Sequence, residues 1–176
     1  IEPYIIFGGI VLGLVLYGYG RYLSRKVKRM PAKLKTSSEG RSLIKFYEAL
    51  KLESYEDPGG VLTIGYGHTS DKQYPVYPGQ RITEAQADMM FEHDLREAEA
   101  IVQRRVDVPI TGFQFDALVS HVFNTGGSDG LFQRINNDES LEEIGRWWTT
   151  TYITQNGIQL RGLKIRREKE WQLYNK

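Results

Sequence analysis

The sequence predicts an α+β fold, with a small antiparallel sheet lobe, a mostly helical lobe and one N-terminal transmembrane helix in front of them. Three observations lead to this prediction. An uncharged run of 18 residues lies near the start, β-prone residues with turn formers occupy residues 54–77, and apolar residues at helical spacing dominate the remainder. A chain of 176 residues is long enough for one domain and a short appendage.

The amino-terminal segment is expected to cross a membrane once. Residues 3–20 read PYIIFGGIVLGLVLYGYG and carry no charge. Eighteen helical residues extend about 27 Å, close to the thickness of a bilayer core. We therefore expect residues 1–29 to form a membrane anchor with a basic flank, which contacts the lipid bilayer through residues 3–22. Residues 30–36 are expected to form a linker and residues 37–176 the folded domain.

The charges of the chain are unevenly distributed. Seven Lys and Arg and no acidic residue lie between Arg21 and Lys35, whereas residues 36–176 hold 16 basic and 21 acidic residues, a net charge of −5. We expect no nucleic-acid partner, because attraction to phosphate supplies most of that affinity. Basic residues beside an apolar run favour a membrane surface. The positive-inside rule alone would place the domain on the cytoplasmic side.

The residue types also exclude several kinds of chemistry. The chain has no cysteine, which excludes disulfides, thiolate nucleophiles and cysteine-based zinc sites. Its three histidines are scattered and form no HExxH pattern, so neither a metal nor another cofactor is expected.

The folded domain is expected to begin with a helix. Thr36 or an adjacent serine would cap it, and Thr36 and Glu39 have the spacing of a capping box. Helical spacing predicts that one stripe faces the core: Leu43, Phe46, Tyr47 and Leu50.

A sheet and five more helices are expected after this first helix. The turn DPGG at residues 57–60 predicts two or three short antiparallel strands within residues 54–77. Thr83 and Gln86 fit a capping box for a long helix over residues 84–105. Its predicted inward face comprises Ala87, Met90, Phe91, Leu95 and Ala98. Further helices are predicted near residues 111–122, 131–137, 141–148 and 163–174.

Three polar residues have a spacing that suits cleavage of a glycosidic bond. Glu48 is expected at the end of the first helix, Asp57 nine positions later in the turn, and Thr63 six positions further on a strand. A helix packed against a hairpin would gather these groups around one cleft. Glycosidic cleavage requires a carboxylic acid to protonate the leaving oxygen and a second group to attack or to steady a water.

The sequence around these residues resembles the phage-type lysozymes, the muramidase family of many phage endolysins. Residues 38–69 read SEGRSLIKFYEALKLESYEDPGGVLTIGYGHT. They contain the family pattern of Glu, eight residues, Asp or Cys, five residues and Thr as Glu48, Asp57 and Thr63. The resemblance continues through TEAQADMMFEHDL, QFDALVSHVFNTG and RGLKIRREKE and covers residues 37–174.

The resemblance implies a lysozyme-like fold and an activity. The implied reaction is hydrolysis of the β-1,4 bond between N-acetylmuramic acid and N-acetylglucosamine in peptidoglycan glycan strands. Glu48 would be the general acid, and Asp57 and Thr63 would hold and activate the attacking water. No cofactor would be needed.

Other matched positions have expected roles outside the chemistry. His68 and Asp94 are expected to form a structural pair. Three residues are predicted to bind substrate: Asn124, Arg166 and Arg167. For Asn124 the alternative is a helix C-cap before Gly126. One of the two arginines is expected to approach Glu48 or the glycan, and the alternative for both is a solvated helix face. The three tryptophans are expected in the core: Trp147, Trp148 and Trp171.

This sequence departs from the family pattern in three places. Ala49 follows the candidate acid where the family usually has glycine, a change expected to be harmless if the backbone there is helical. The segment after Gly126 is shorter than in the family, which affects one side of the expected cleft. The absence of cysteine excludes control by thiol exchange.

Several functions and locations remain open at this stage. The alternatives to a muramidase are a non-catalytic peptidoglycan-binding or virion structural protein and a lytic transglycosylase. The enzyme would serve host lysis or wall penetration, from the host inner membrane facing the periplasm or from a virion membrane. The anchor would be permanent, or it would be released as in signal-anchor-release endolysins.

Overall fold

The computed structural model describes residues 34–57, 59–155 and 157–176, so the predicted membrane helix and residues 30–33 of the predicted linker lie outside the described residues. The described helices and strands follow in chain order: α1 Ser38–Glu48, β1 Lys51–Glu56, β2 Leu62–Gly65, β3 His68–Thr69, α2 Glu84–Arg105, α3 Gly112–Thr125, α4 Asp129–Asn136, α5 Leu141–Thr150, β4 Thr154–Gln155, β5 Ile158–Gln159 and α6 Arg161–Tyr174. Within the described part of the chain, no helix combines the length and apolar character needed to cross a bilayer.

Helix α1 is capped by one of the two serines that the sequence offered beside Thr36. Ser37, rather than Thr36, is the N-cap, and its hydroxyl accepts from the amide of Gly40 at 3.3 Å. The amide and hydroxyl of Thr36 instead donate to one oxygen of Glu99, at 2.8 and 3.0 Å. The capping box of Thr36 and Glu39 is therefore wrong, because a buried carboxylate on α2 takes the Thr36 hydroxyl.

The buried face of α1 also differs from the predicted stripe. Gly40 and Ile44 are buried, whereas the Phe46 side chain is 77% exposed. A Cβ at Gly40 would lie 2.7 Å from the carboxyl carbon of Asp116 on α3. This close approach turns the Gly40–Ile44 side of α1 toward α3 and leaves Phe46 outside.

The predicted antiparallel sheet is present in the order β1-β2-β3. Tyr55 lies opposite Thr63, and Ile64 lies opposite His68. The strands end at Thr69, so residues 70–77, the last part of the predicted range, form no strand. One carboxylate oxygen of Asp71 accepts from the amides of residues 73 and 74, at 2.7 and 2.6 Å, and folds this stretch into a turn.

Helix α2 connects the sheet lobe to the helical lobe. Its predicted boundaries and its capping box of Thr83 and Gln86 are both confirmed. All five residues of the predicted inward face are buried. Ala87 and Met90 belong to a small apolar cluster with the sheet, and Phe91, Leu95 and Ala98 belong to the main core.

Helix α3 forms the centre of the helical lobe and packs against α1, α2 and α6. Trp148 is fully buried, and Trp147 and Trp171 pack against the same core, as the sequence predicted. The β4–β5 hairpin was not predicted. Each of its strands has only two residues, all exposed, which leaves no alternating apolar pattern to detect.

Candidate active site

Glu48 is the last residue of α1, and its two carboxylate oxygens have different surroundings. Oε1 accepts a hydrogen bond of 2.6 Å from Nη1 of Arg166. Oε2 faces Gly67 in the β2–β3 turn, where a Cβ would lie 3.2 Å away. Gly67 has φ of 86°, so the turn itself favours glycine there. One oxygen of the candidate acid is therefore held by an arginine, and the other lies against a residue without a side chain.

Arg166 is fixed through all three of its guanidinium nitrogens. Besides the bond to Glu48, its Nε donates to Glu170 and its Nη2 donates to the carbonyl of Ser120, each at 3.2 Å. The guanidinium also lies 5.4 Å from the centre of the Tyr47 ring. Only 3% of the Arg166 side chain is exposed, so its position relative to Glu48 is set by the protein.

Asp57 occupies the turn between β1 and β2, as predicted. Its Oδ1 accepts from the amides of Gly59 and Val61, each at 2.8 Å, and its own amide donates to the carbonyl of Val61. Among the described residues no donor contacts Oδ2. Asp57 is thus anchored through one oxygen and keeps the other as an acceptor.

Thr63 lies on β2 beside this turn. Its hydroxyl donates to the same Val61 carbonyl at 3.0 Å. A hydroxyl has one hydrogen and two acceptor positions. Since the hydrogen is used by Val61, Thr63 can accept a hydrogen bond from a water or a ligand.

Tyr55 links the groups around the site and was missed by the sequence analysis. It lies opposite Thr63 in the β1–β2 pair. Burial and the nearby carboxylates of Glu48 and Asp57 raise the pKa of the Tyr55 phenol. The charges of Glu48 and Asp57 therefore both act on the phenol of the residue that lies opposite Thr63. The hairpin register, an aromatic residue opposite the threonine, was the signal that could have revealed it.

Ala49, immediately after Glu48, has a backbone that is not helical. Its φ of 53° and ψ of 152° fall in a region that L-residues with a side chain rarely occupy. The change from the family's glycine was expected to be harmless if the backbone at this position is helical. The backbone is not helical, so this condition is not met. The chain leaves α1 through a strained residue next to the candidate acid.

His68 and Asp94 form the contact that the sequence predicted. Nδ1 of His68 lies 3.0 Å from both oxygens of Asp94, and Nε2 lies 2.9 Å from the carbonyl oxygen of Tyr74. Both neighbours can only accept, so both ring nitrogens donate and the ring is positively charged. Burial alone would lower the pKa of His68, but Asp94, the Tyr74 carbonyl and Asp71 outweigh it and raise the pKa.

The same region holds the group of described side chains that most resembles a metal site. Ligand atoms of His68, Asp71 and Asp94 lie within 4.8 Å of one another. Nε2 of His93 lies 2.7 Å from the second carboxylate oxygen of Asp71. Since both nitrogens of His68 already donate to protein acceptors, hydrogen bonding accounts for this cluster.

The three predicted substrate-binding residues have different positions. Arg167 is fully buried, and its nitrogens donate to Asn124 at 2.8 Å and to His121 at 3.0 Å. The prediction that Arg166 and Arg167 bind substrate directly is therefore wrong, because both guanidiniums form their hydrogen bonds within the protein. Asn124 is not a helix cap, since Gly126 ends α3 with φ of 74°. Arg167 occupies the oxygen of its amide, and among the described residues no acceptor contacts its NH₂ group.

The chain is similar to known proteins in its sequence and in its fold. The family model of phage lysozyme matches residues 45–170. The chain belongs to the phage lysozyme family. It is 31% identical to an endolysin of Acyrthosiphon pisum secondary endosymbiont phage 1 over 78% of this chain and 96% of that protein. It is also 31% identical to the SAR-endolysin of Escherichia phage P1, over 80% of this chain and 81% of that protein.

A solved structure agrees with this assignment. The muramidase domain of SpmX from Asticaccaulis excentricus matches with a TM-score of 0.71 and 33% identity, over 81% of this chain and 99% of that domain. The predicted lysozyme-like fold, with helices and a small antiparallel sheet, is confirmed. As a phage lysozyme, the chain is an enzyme, which the sequence also predicted.

Proposed function

We propose that this phage lysozyme hydrolyses the β-1,4 bond between N-acetylmuramic acid and N-acetylglucosamine in bacterial peptidoglycan. Glu48 is the general acid, and Asp57 and Thr63 hold the water. The observation that carries the proposal is the asymmetry of Glu48. Arg166 holds Oε1, while Oε2 lies against Gly67, a residue without a side chain, and is the oxygen that would protonate the leaving sugar.

The free acceptors of the hairpin supply the second half of the reaction. A water can donate one hydrogen to Oδ2 of Asp57 and the other to the hydroxyl oxygen of Thr63. Its lone pair then points away from both and toward the sugar carbon. Water attack opposite the leaving group is the geometry of inverting glycosidases, in which the carboxyl groups stand about 6.5–9.5 Å apart. Asn124 is proposed to contact the glycan through its amide NH₂.

Replacing the acid tests the assignment. Glu48→Gln keeps the shape of the side chain and removes the transferable proton, so clearance of purified walls should fall by a factor of about 10²–10⁴. The matched control is Glu53→Gln, an exposed glutamate on β1 that pairs with Arg81, which should clear walls normally. Normal clearance by folded Glu48→Gln would show that the acid is another group.

The products separate hydrolysis from a transglycosylase reaction. Hydrolysis adds one water and leaves a reducing N-acetylmuramic acid end. Intramolecular transfer would leave 1,6-anhydro ends and would not need the water acceptors Asp57 and Thr63. Mass spectrometry of the released muropeptides should show reducing ends, and predominantly anhydro products would overturn the proposal.

We further propose that the enzyme works from a membrane during host lysis. The basis is the uncharged run of residues 3–20 and the relationship to a protein named SAR-endolysin. Residues 37–176 would then face the periplasm and the wall. Fractionation of cells expressing the whole chain should recover it with the inner membrane, and depolarisation should move it to the periplasmic fraction. Recovery only in the cytosol would contradict this placement.

A further inference from the structure

Glu170 on α6 is the most deeply buried carboxylate of the helical lobe and takes no part in the proposed reaction. It is 0% exposed. Its Oε1 accepts from the hydroxyl of Ser120, Nε of Arg166 and Nη2 of Arg167, at 2.8, 3.2 and 3.0 Å. Its Oε2 lies 3.2 Å from the indole nitrogen of Trp148. The carboxylate thus joins α3, α5 and α6.

The charges around Glu170 keep it ionised. Burial alone would raise the pKa of Glu170, but its contact with His121 and the charges of Arg167 and Arg166 outweigh it and lower the pKa. Nδ1 of His121 lies 3.3 Å from Oε2 of Glu170 and 3.0 Å from Nη1 of Arg167. Burial lowers the pKa of His121, in keeping with a neutral ring. Glu170 is therefore the buried anion that offsets part of the charge of Arg166 and Arg167.

Arg166 connects this cluster to the candidate acid. Among the described residues, Glu48 and Glu170 are the carboxylates that contact Arg166, and they do so from different nitrogens. If Glu170 were neutral, the positive charge of Arg166 would act on Glu48 alone. Glu48 would then be favoured in its ionised form, which cannot donate a proton.

We propose that Glu170 is a positioning residue for the glycosidase reaction. It holds Arg166 in place and shares its charge, so that Arg166 orients Glu48 while Glu48 can still carry a proton. The inference rests on the proposed role of Glu48 as general acid. Glu170 has no exposed surface, so it acts on the reaction only through its neighbours, and Arg166 is the neighbour that contacts Glu48.

Kinetics of the Glu170→Gln variant of the whole chain test this role. We expect kcat to fall by about 10- to 100-fold, the size expected when a catalytic group is misplaced, with KM within about twofold of the parent. The pH above which activity declines should move to lower pH, because two guanidiniums without their anion favour ionised Glu48. Among the described residues, the other charged or titratable groups that interact with the charge of Glu48 are Arg167 and Tyr55.

A control variant separates positioning from loss of stability. Asp94→Asn destabilises the sheet lobe away from Glu170 and should keep kcat at temperatures below unfolding. A folded Glu170→Gln protein with parental kcat and pH profile would overturn the inference.

The role of Glu170 can be tested even if the Glu170→Gln variant does not fold. If Glu170→Gln does not fold, Glu170→Asp keeps the charge and withdraws it from Arg166, and it should lower kcat without changing KM. Parental kcat in that variant would also overturn the inference. This test and the Glu48→Gln experiment can fail separately. If Glu48→Gln is inactive and Glu170→Gln has normal activity, only the positioning role of Glu170 is rejected.

Discussion

Ala49 shows how a single residue can store strain beside a reactive group. A non-glycine residue with positive φ and extended ψ costs about 1–3 kcal/mol, and here it directly follows Glu48. The strain comes from Cβ and is independent of any tertiary contact. Its removal should therefore affect stability in a way that can be measured separately from packing.

We predict that Ala49→Gly raises the free energy of unfolding by about 1 kcal/mol or more, because glycine adopts this conformation without the steric penalty. The control is Ala85→Gly, an exposed alanine in α2, which should lower the free energy of unfolding by about 1 kcal/mol. Urea denaturation measures both. If the two substitutions shift stability in the same direction, the strain at Ala49 is not real.

The pair of His68 and Asp94 gives a pH-dependent prediction at the same scale. The pKa of His68 is raised in the folded state, so the stabilisation is complete below the unfolded value of about 6.5 and is lost as pH rises through the folded value. Asp94→Asn should lower stability by about 1.5–3 kcal/mol near pH 6, and the difference should narrow above neutrality. Thermal unfolding across pH, with Asp107→Asn as an exposed control, checks this. A stability difference between the parent and Asp94→Asn that grows toward high pH would contradict this prediction.

The sequence located the candidate site but not its surroundings. Glu48, Asp57 and Thr63 could be selected because their spacing lies within one helix and one hairpin. Arg166 lies 118 positions from Glu48, and their contact depends on how α6 packs on α3. No local pattern encodes such a contact, so the sequence left open which of the two arginines approaches Glu48 and whether its target is Glu48 or the glycan.

At the scale of elements, the β2–β3 turn determines what lies against the candidate acid. Gly67 and Gly79 both have positive φ, 86° and 70°. A Cβ at Gly67 would lie 3.2 Å from Oε2 of Glu48, whereas a Cβ at Gly79 would meet no atom within 4 Å. The two glycines therefore share a backbone requirement and differ only in their neighbour.

We predict that Gly67→Ala and Gly79→Ala each cost about 1–2 kcal/mol of stability, but that only Gly67→Ala lowers kcat for wall hydrolysis. The added methyl group would contact the oxygen proposed to carry the proton. Wall-clearance rates measured below both melting temperatures provide the test. Equal activity of the two variants would place Oε2 of Glu48 outside the reaction path.

The elements that were predicted correctly are those whose signals are local. Helix α2 combines a capping box with 22 residues of regular spacing, and both its boundaries and its buried face could be read from the sequence. The rotation of α1 could not. It depends on the contact of Gly40 with Asp116, residues 76 positions apart, and the exposed Phe46 has the same spacing as a core residue.

At the scale of the whole molecule, the N-terminal strap (residues 34–37) ties the start of the described chain to the helical lobe. The carbonyl of Leu34 accepts from Gln103 at 2.9 Å, and Lys35 and Thr36 both contact the buried carboxylate of Glu99. Ser37 donates to Asp116 on α3 through its amide at 2.9 Å and through its hydroxyl. The strap lies partly within the predicted linker, so ordered packing begins before residue 37.

Glu99 makes the attachment dependent on pH. Burial alone would raise the pKa of Glu99, but Lys35 and Thr36 outweigh it and lower the pKa. This stabilisation is present above the unfolded value of about 4.3 and is lost as pH falls through the folded value. Glu99→Gln should lower the free energy of unfolding by about 1.5–3 kcal/mol at pH 7. The difference from the parent should disappear at acidic pH. The exposed Glu97→Gln should change little, and equal melting curves for the two variants at pH 7 would refute the prediction.

The strap also sets a limit on how short a working version of the enzyme can be made. Trimming the chain to Ser38, the first helical residue, by recombinant truncation or by protease digestion would leave the carboxylates of Glu99 and Asp116 without their donors. Such a fragment should aggregate or unfold at a lower temperature, whereas one that starts at or before Leu34 should stay folded during storage.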